Sequence, residues 1–123
     1  MTNKGMVAIV DDDRRVLQSI GSLLESVGYT VTLFASAELL LSSTAVNSIA
    51  CVISDIGIPG VDGIELKALL SEREPDLPVI LITGNRKQAR RTEVKDLDPP
   101  YFFEKPYNTR ELLEAVGKLS RKV

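Results

Sequence analysis

The chain has 123 residues, 44% hydrophobic and 26% charged, with a net charge of −2; that is one domain's worth of folding sequence, read here as a single domain over 1–123. Such a balance gives no electrostatic reason to bind nucleic acid or a membrane surface, and no apolar run approaches the ~18 residues that a bilayer requires. The absence of histidine removes the Ser-His-Asp triad, the Cys-His pair and the HExxH zinc site together, and bars the chain from being a histidine-phosphorylated carrier itself.

The start, Met1 to Gly5, does not read as a signal peptide, because the apolar stretch behind it is only Met6 to Val10. That stretch is the first predicted strand, and it stops at acid. Val16, Leu17, Ile20, Leu23, Leu24 and Val27 then recur at helical steps, with Gly28 as the stop signal. Val31 to Phe34 alternates, as an edge or half-covered strand does. Ser36 is the predicted N-cap of a helix over Ala37 to Val46, in which Leu39 to Leu41 read as core and rim. Ile49 to Ile53 is a third, continuously apolar strand. It contains the lone Cys51, which reads as core; a single cysteine rules out an internal disulfide and points to a cytoplasmic protein.

Asp62 and Glu65 have capping-box spacing ahead of Leu66, Leu69 and Leu70. Val79 to Ile82 is the fourth strand. The stretch from Arg86 to Pro100 fits least well: Arg86, Lys87, Arg90 and Arg91 repel at helical spacing, and Pro99-Pro100 bars continuation, so it reads as a short fourth helix. Tyr101 to Phe103 is the fifth strand. Asn108 and Glu111 repeat the capping spacing before Leu112, Leu113, Val116 and Leu119. Strand and helix alternate five times. The expected fold is therefore α/β: a doubly wound, five-stranded parallel sheet with helices on both faces.

In such a sheet, ligands bind beyond the C-terminal strand ends. Those ends carry Asp11-Asp12-Asp13, Ser54-Asp55, Thr83-Gly84 and Glu104-Lys105-Pro106. Clustered carboxylates either raise a pKa or recruit a cation, and all-oxygen ligands favour Mg²⁺. A carboxylate facing Mg²⁺ and a lysine is a nucleophile toward phosphorus. Each residue alone has a plainer reading. Asp13 caps a helix as readily as it binds metal, Thr83 can simply end a strand, Lys105 can be a solvated charge, and the basic group at 86–91 reads as a solvated face. The conjunction of groups on different strand ends carries the signal.

Val10-Asp11-Asp12-Asp13, Asp55 to Gly63 with its Pro59-Gly60, Thr83-Gly84 and Lys105-Pro106 stand in an order and spacing that resemble the receiver domain of two-component response regulators. The resemblance runs from Val7 to about Leu119, and within the family it looks most like the receivers of nitrogen-fixation regulators. It implies the flavodoxin-like (βα)5 fold with strand order 2-1-3-4-5. It implies Asp55 as phosphoacceptor, and Asp11, Asp12, Asp55 and the Gly57 backbone carbonyl as ligands of Mg²⁺. Thr83 and Lys105 would bind the phosphoryl group, Thr83 and Phe102 would switch, and the Lys105–Pro106 bond would be cis. Ile58 to Val61 suits a type II turn.

The implied partners are a sensor histidine kinase or a histidine phosphocarrier, and a second copy across the fourth-helix, fifth-strand and fifth-helix face that the family switches. Neither a membrane nor nucleic acid is an expected direct partner. The implied activity is weak self-catalysed phosphorylation and dephosphorylation, not that of a dedicated enzyme. Two positions depart from, or tune, the family pattern. Gly57 offers no side chain where polar groups influence phosphoryl lifetime, and Asn85 occupies the other such position. Asp98-Pro99-Pro100 replaces the usual Gly-Ala turn. Two other readings stand beside this one: an interaction module of the same fold that does not switch, and a Mg²⁺-dependent phosphohydrolase. The latter normally carries a second acid two residues after its nucleophile, where this chain has Gly57.

Overall fold

A computed structural model describes residues 4–84 and 101–122. The predicted fourth helix, Asn85 and the fourth-helix part of the switching face lie outside the described residues. In chain order the elements are β1 (Met6–Val10), α1 (Arg14–Ser26), β2 (Thr30–Phe34), α2 (Ala37–Leu41), a 3-10 turn (Val46–Ser48), β3 (Ile49–Asp55), α3 (Gly63–Arg73), β4 (Val79–Thr83), β5 (Phe102–Glu104) and a C-terminal helix, α4 (Thr109–Leu119). The strands form one parallel sheet in the order β2-β1-β3-β4-β5.

The continuous apolar strands are those covered on both faces. Ala8, Val10, Val52, Val79 and Leu81 point into one core with Leu40, Leu66 and Leu70 of α2 and α3. Val7, Ile9, Cys51, Ile53, Ile80 and Ile82 point into the other, with Leu17, Ile20 and Leu24 of α1 and Leu112 and Val116 of α4. The alternating β2 lies at the sheet's edge. α1 ends in paired turn bonds: the Gly28 N–H donates to Glu25 O and the Tyr29 N–H to Leu24 O, with Gly28 at φ +103°. That left-handed residue is the one a glycine adopts without a Cβ penalty.

Several boundaries differ from the sequence reading; β2 starts one residue earlier, at Thr30, and β4 ends one later, at Thr83. α2 stops at Leu41 and not at Val46. The Ser42 hydroxyl donates to Leu39 O, and Ser43 Oγ accepts the Ala45 N–H, so side chains take bonds that a further helical turn would use. β3 runs on through Ser54 and Asp55, which pair with Leu81 and Ile82. β5 starts one residue late, at Phe102, although the Tyr101 carbonyl already accepts the Leu81 N–H. Arg121, beyond α4, fastens the opposite end of the sheet. Its guanidinium donates to Ile49 O and Val46 O and pairs with Glu74 and Asp76.

Candidate functional site

Strand register brings the polar strand ends together. Val10 pairs with Ser54, so Asp11 and Asp55 follow side by side on β1 and β3. Asp55 pairs with Ile82 and Thr83 with Glu104, which sets Thr83 and then Lys105 along the same edge. One carboxylate oxygen each from Asp11, Asp12 and Asp55 lies within 4.8 Å of the others. Asp11 is buried, Asp55 half-buried and Asp12 exposed. An all-oxygen donor set of this kind suits a hard divalent cation.

The electrostatics follow from that depth. Burial pushes the Asp11 carboxyl above its ordinary range. The Asp13 N–H donates to Asp11 Oδ1 at 2.8 Å and opposes the shift, while the charge of Asp55 adds to it; Lys105 opposes and Asp12 adds in turn. Repulsion between the acids, the effect legible in the sequence, is thus secondary to desolvation. Asp13 has another role. Its side chain accepts the Arg15 N–H at 2.9 Å and caps α1, which holds its carboxyl below the usual range. The plainer of its two sequence readings is the structural one.

Around Asp55 the backbone is closely packed. The Gly57 N–H faces Asp55 Oδ1 at 3.4 Å, and the Gly63 N–H donates to Ile56 O, which draws the start of α3 onto the strand end. Asp62 and Glu65 form a reciprocal capping box there. Gly60, at φ +77°, makes the turn between Pro59 and Val61. Thr83 is fully buried and its carbonyl accepts the Lys105 N–H at 2.8 Å. Lys105 is half-buried, and its peptide bond to Pro106 is cis. Phe102 is half-buried against the core that holds Leu81.

Two neighbours escaped the sequence reading. Tyr107, pushed up mainly by burial and next by the Asp11 charge, lines an open groove of about 450 Å³ with Asp13, Arg15, Val16, Ser19, Ile20 and Lys105. Its only sequence signal is its place after Lys105-Pro106. Gly63, in the sequence only the end of the Asp55-to-Gly63 stretch, sits directly against the Asp55 carbonyl.

A parallel sheet of this order, with carboxylates on two adjoining strand ends and a hydroxyl and a lysine on the next two, defines the class of receivers of two-component signalling. The chain matches the response regulator receiver domain family over residues 7–117 and belongs to it. It is 34% identical over 121 residues to the transcriptional regulatory protein FixJ of Bradyrhizobium diazoefficiens, covering 98% of this chain and 59% of that protein. It is 31% identical to the response regulator protein TodT of Pseudomonas putida, covering 90% of this chain and 49% of TodT. The chain therefore spans about half the length of these curated relatives. Among solved structures, full-length FixJ from B. japonicum superposes with a TM-score of 0.80 at 32% identity, over 96% of this chain and 58% of that one. The response regulator TrrA of Thermotoga maritima, solved in complex with Mg²⁺-BeF, superposes with a TM-score of 0.82 at 25% identity, over 94% of this chain and 98% of that one. Among the described residues, no helix is long and apolar enough to cross a membrane.

Proposed function

We propose that residues 1–123 form one phosphoacceptor domain in which Asp55 receives a phosphoryl group from a phosphohistidine, borne by a sensor histidine kinase or a histidine phosphocarrier. The observation that carries this reading is the approach of Asp11, Asp12 and Asp55 to within 4.8 Å, beside the strand ends of Thr83 and Lys105. Asp11, Asp12, Asp55 and the Gly57 carbonyl would hold Mg²⁺. The fit rests on the donor set: three carboxylates crowd one corner, and burial leaves Asp11 reluctant to ionise without a counter-charge. Bound there, Mg²⁺ supplies positive charge to phosphoryl oxygens.

The chain's own residues do the rest. An Asp55 oxygen attacks phosphorus; the new O–P bond forms as the P–N bond to the donor imidazole breaks, and that bond's electron pair returns to the imidazole. Lys105 neutralises the transferred group, and the Thr83 hydroxyl donates to one of its oxygens. The movement of Thr83 would free space that Phe102, half-buried beside Leu81, turns to fill. Gly57 leaves the acceptor unshielded by any side chain at that position, and Asn85, outside the described residues, holds the second position that tunes phosphoryl lifetime. A second copy docking on the switching face and the relatives' transcriptional output belong to the same proposal. Acetyl phosphate with Mg²⁺ should add one phosphoryl mass to the wild type and none to Asp55→Asn. A mass gain in that variant equal to wild type overturns the assignment.

A further inference from the structure

The loop that leaves Asp55 carries the Gly57 carbonyl, and five residues, 58–62, separate it from the start of α3 at Gly63. Its two ends are fastened by the backbone. The Ile56 N–H donates to Ile82 O at 2.8 Å, and the Gly63 N–H to Ile56 O at 3.1 Å. Between them, Ile58 is buried in the core. A further tie comes from another element. Glu38, in the first turn of α2, accepts the Val61 N–H on its Oε2 at 3.1 Å. Gly60 completes the seat. Its backbone lies in the left-handed region, and a Cβ there would overlap the Glu38 carboxylate.

α2 is a firm base for this contact despite its five residues. Ser36 caps it by accepting the Leu39 N–H, and the Arg73 guanidinium of α3 donates to Leu41 O at 2.7 Å. Glu38 therefore does more than place an acid in a helix's first turn. It joins α2 to the middle of the loop, and Arg73 closes the frame from the far end of α3.

We propose that Glu38 is a positioning residue for the phosphoacceptor site: by holding the Val61 N–H it fixes the loop conformation that presents the Gly57 carbonyl toward Asp55. This rests on the reading of Gly57 as a metal ligand. The bond at Val61 outweighs the other influences on the Glu38 carboxyl, which sits below its ordinary range. A neutral amide can accept the same N–H, so the requirement is for an acceptor at that place more than for a charge.

The test is a Mg²⁺ titration of the whole chain, followed through the backbone amide signals of Asp55 and Gly57. Glu38→Ala should shift the Gly57 signal even without metal and weaken Mg²⁺ about fivefold, the loss expected for one hydrogen bond. Glu38→Gln should restore both. Gly60→Ala should also weaken Mg²⁺, but less so in the Glu38→Ala background, where the carboxylate it would strike is gone; the two effects are then not additive. Unchanged Mg²⁺ affinity in Glu38→Ala overturns the proposal. So does a Glu38→Gln variant as weak as Glu38→Ala, since the distant charge would then carry the effect. Strict additivity with Gly60→Ala overturns it as well. A wild type that binds no Mg²⁺ overturns the functional reading instead.

Discussion

Replacing Gly63 by alanine tests how closely α3 is drawn onto the strand end that carries Asp55. Helix propensity alone predicts a gain, because alanine is favoured over glycine by roughly 0.5–1 kcal/mol inside a helix and by less at its first residue. The structure predicts a loss. A Cβ at Gly63 would lie 2.6 Å from Asp55 O and 2.9 Å from the Ile56 Cα, both backbone atoms of a buried strand end. The nearer is about 0.8 Å short of ordinary van der Waals contact, and overpacking of this kind costs about 1–3 kcal/mol. The net expectation is a destabilisation of about 1–2 kcal/mol, or a fall in Tm of roughly 3–10 °C for a chain of this size. Thermal and urea unfolding measure it. Gly21 of α1 is the control. There a Cβ would meet Leu33 Cδ2 at 3.4 Å and Val31 Cγ2 at 3.6 Å, both ordinary contacts. Gly21→Ala should therefore stabilise by roughly 0.5–1 kcal/mol. A Gly63→Ala protein as stable as Gly21→Ala would refute the reasoning, because the backbone would then have room that the geometry denies.

Other outcomes follow from the same site. Asp12→Ala should abolish most Mg²⁺ affinity, while Asp13→Ala should lower the unfolding midpoint and leave Mg²⁺ binding largely intact; equal metal loss in both would make Asp13 a ligand and not only a cap. Because burial raises the Asp11 pKa, the folded state favours its neutral form. That preference stabilises fully below the ordinary value of 3.8 and is lost as pH rises through the raised one. Metal-free Asp11→Asn should then be more stable than wild type at neutral pH, with the advantage vanishing toward acid, as pH-dependent unfolding would show. The Cys51 thiol, pushed up to about 12 by burial, should resist thiol reagents at pH 8 until the protein is unfolded; prompt labelling of the native chain would contradict its placement in the core.

Most of the sheet was legible because its strands are of two kinds. Runs such as Val7 to Val10 and Val79 to Ile82 are apolar on both faces, and β2 alternates, so the sequence separates central strands from an edge. The caps at Ser36, Asp62 and Asn108 were equally readable, since each accepts the N–H three residues on. The early end of α2 was not, because it depends on which way the Ser42 and Ser43 hydroxyls turn. The candidate residues at the strand ends were legible in their positions. Glu38 and Arg121 were not, because what they hold lies 23 and 45 or more residues away, and no local spacing encodes such a distance. Gly63 was hidden for a different reason: its contact is defined by a missing side chain.

β3 is paired along both edges and covered on both faces, with every residue from Ile49 to Ser54 buried. Arg121 clasps the carbonyl of its first residue, and Asp55 is its last. Asp55, the acceptor in the function proposed above, is thus mounted on a strand held along both edges and both faces, like a striking surface set on an anvil. Charge added to Asp55 finds no slack behind it. In the proposed function the adjustment falls to groups off that strand: the exposed Asp12 and the half-buried Lys105 and Phe102. A rigid mounting would thus turn the proposed phosphorylation of Asp55 into displacement of its surroundings and not of itself.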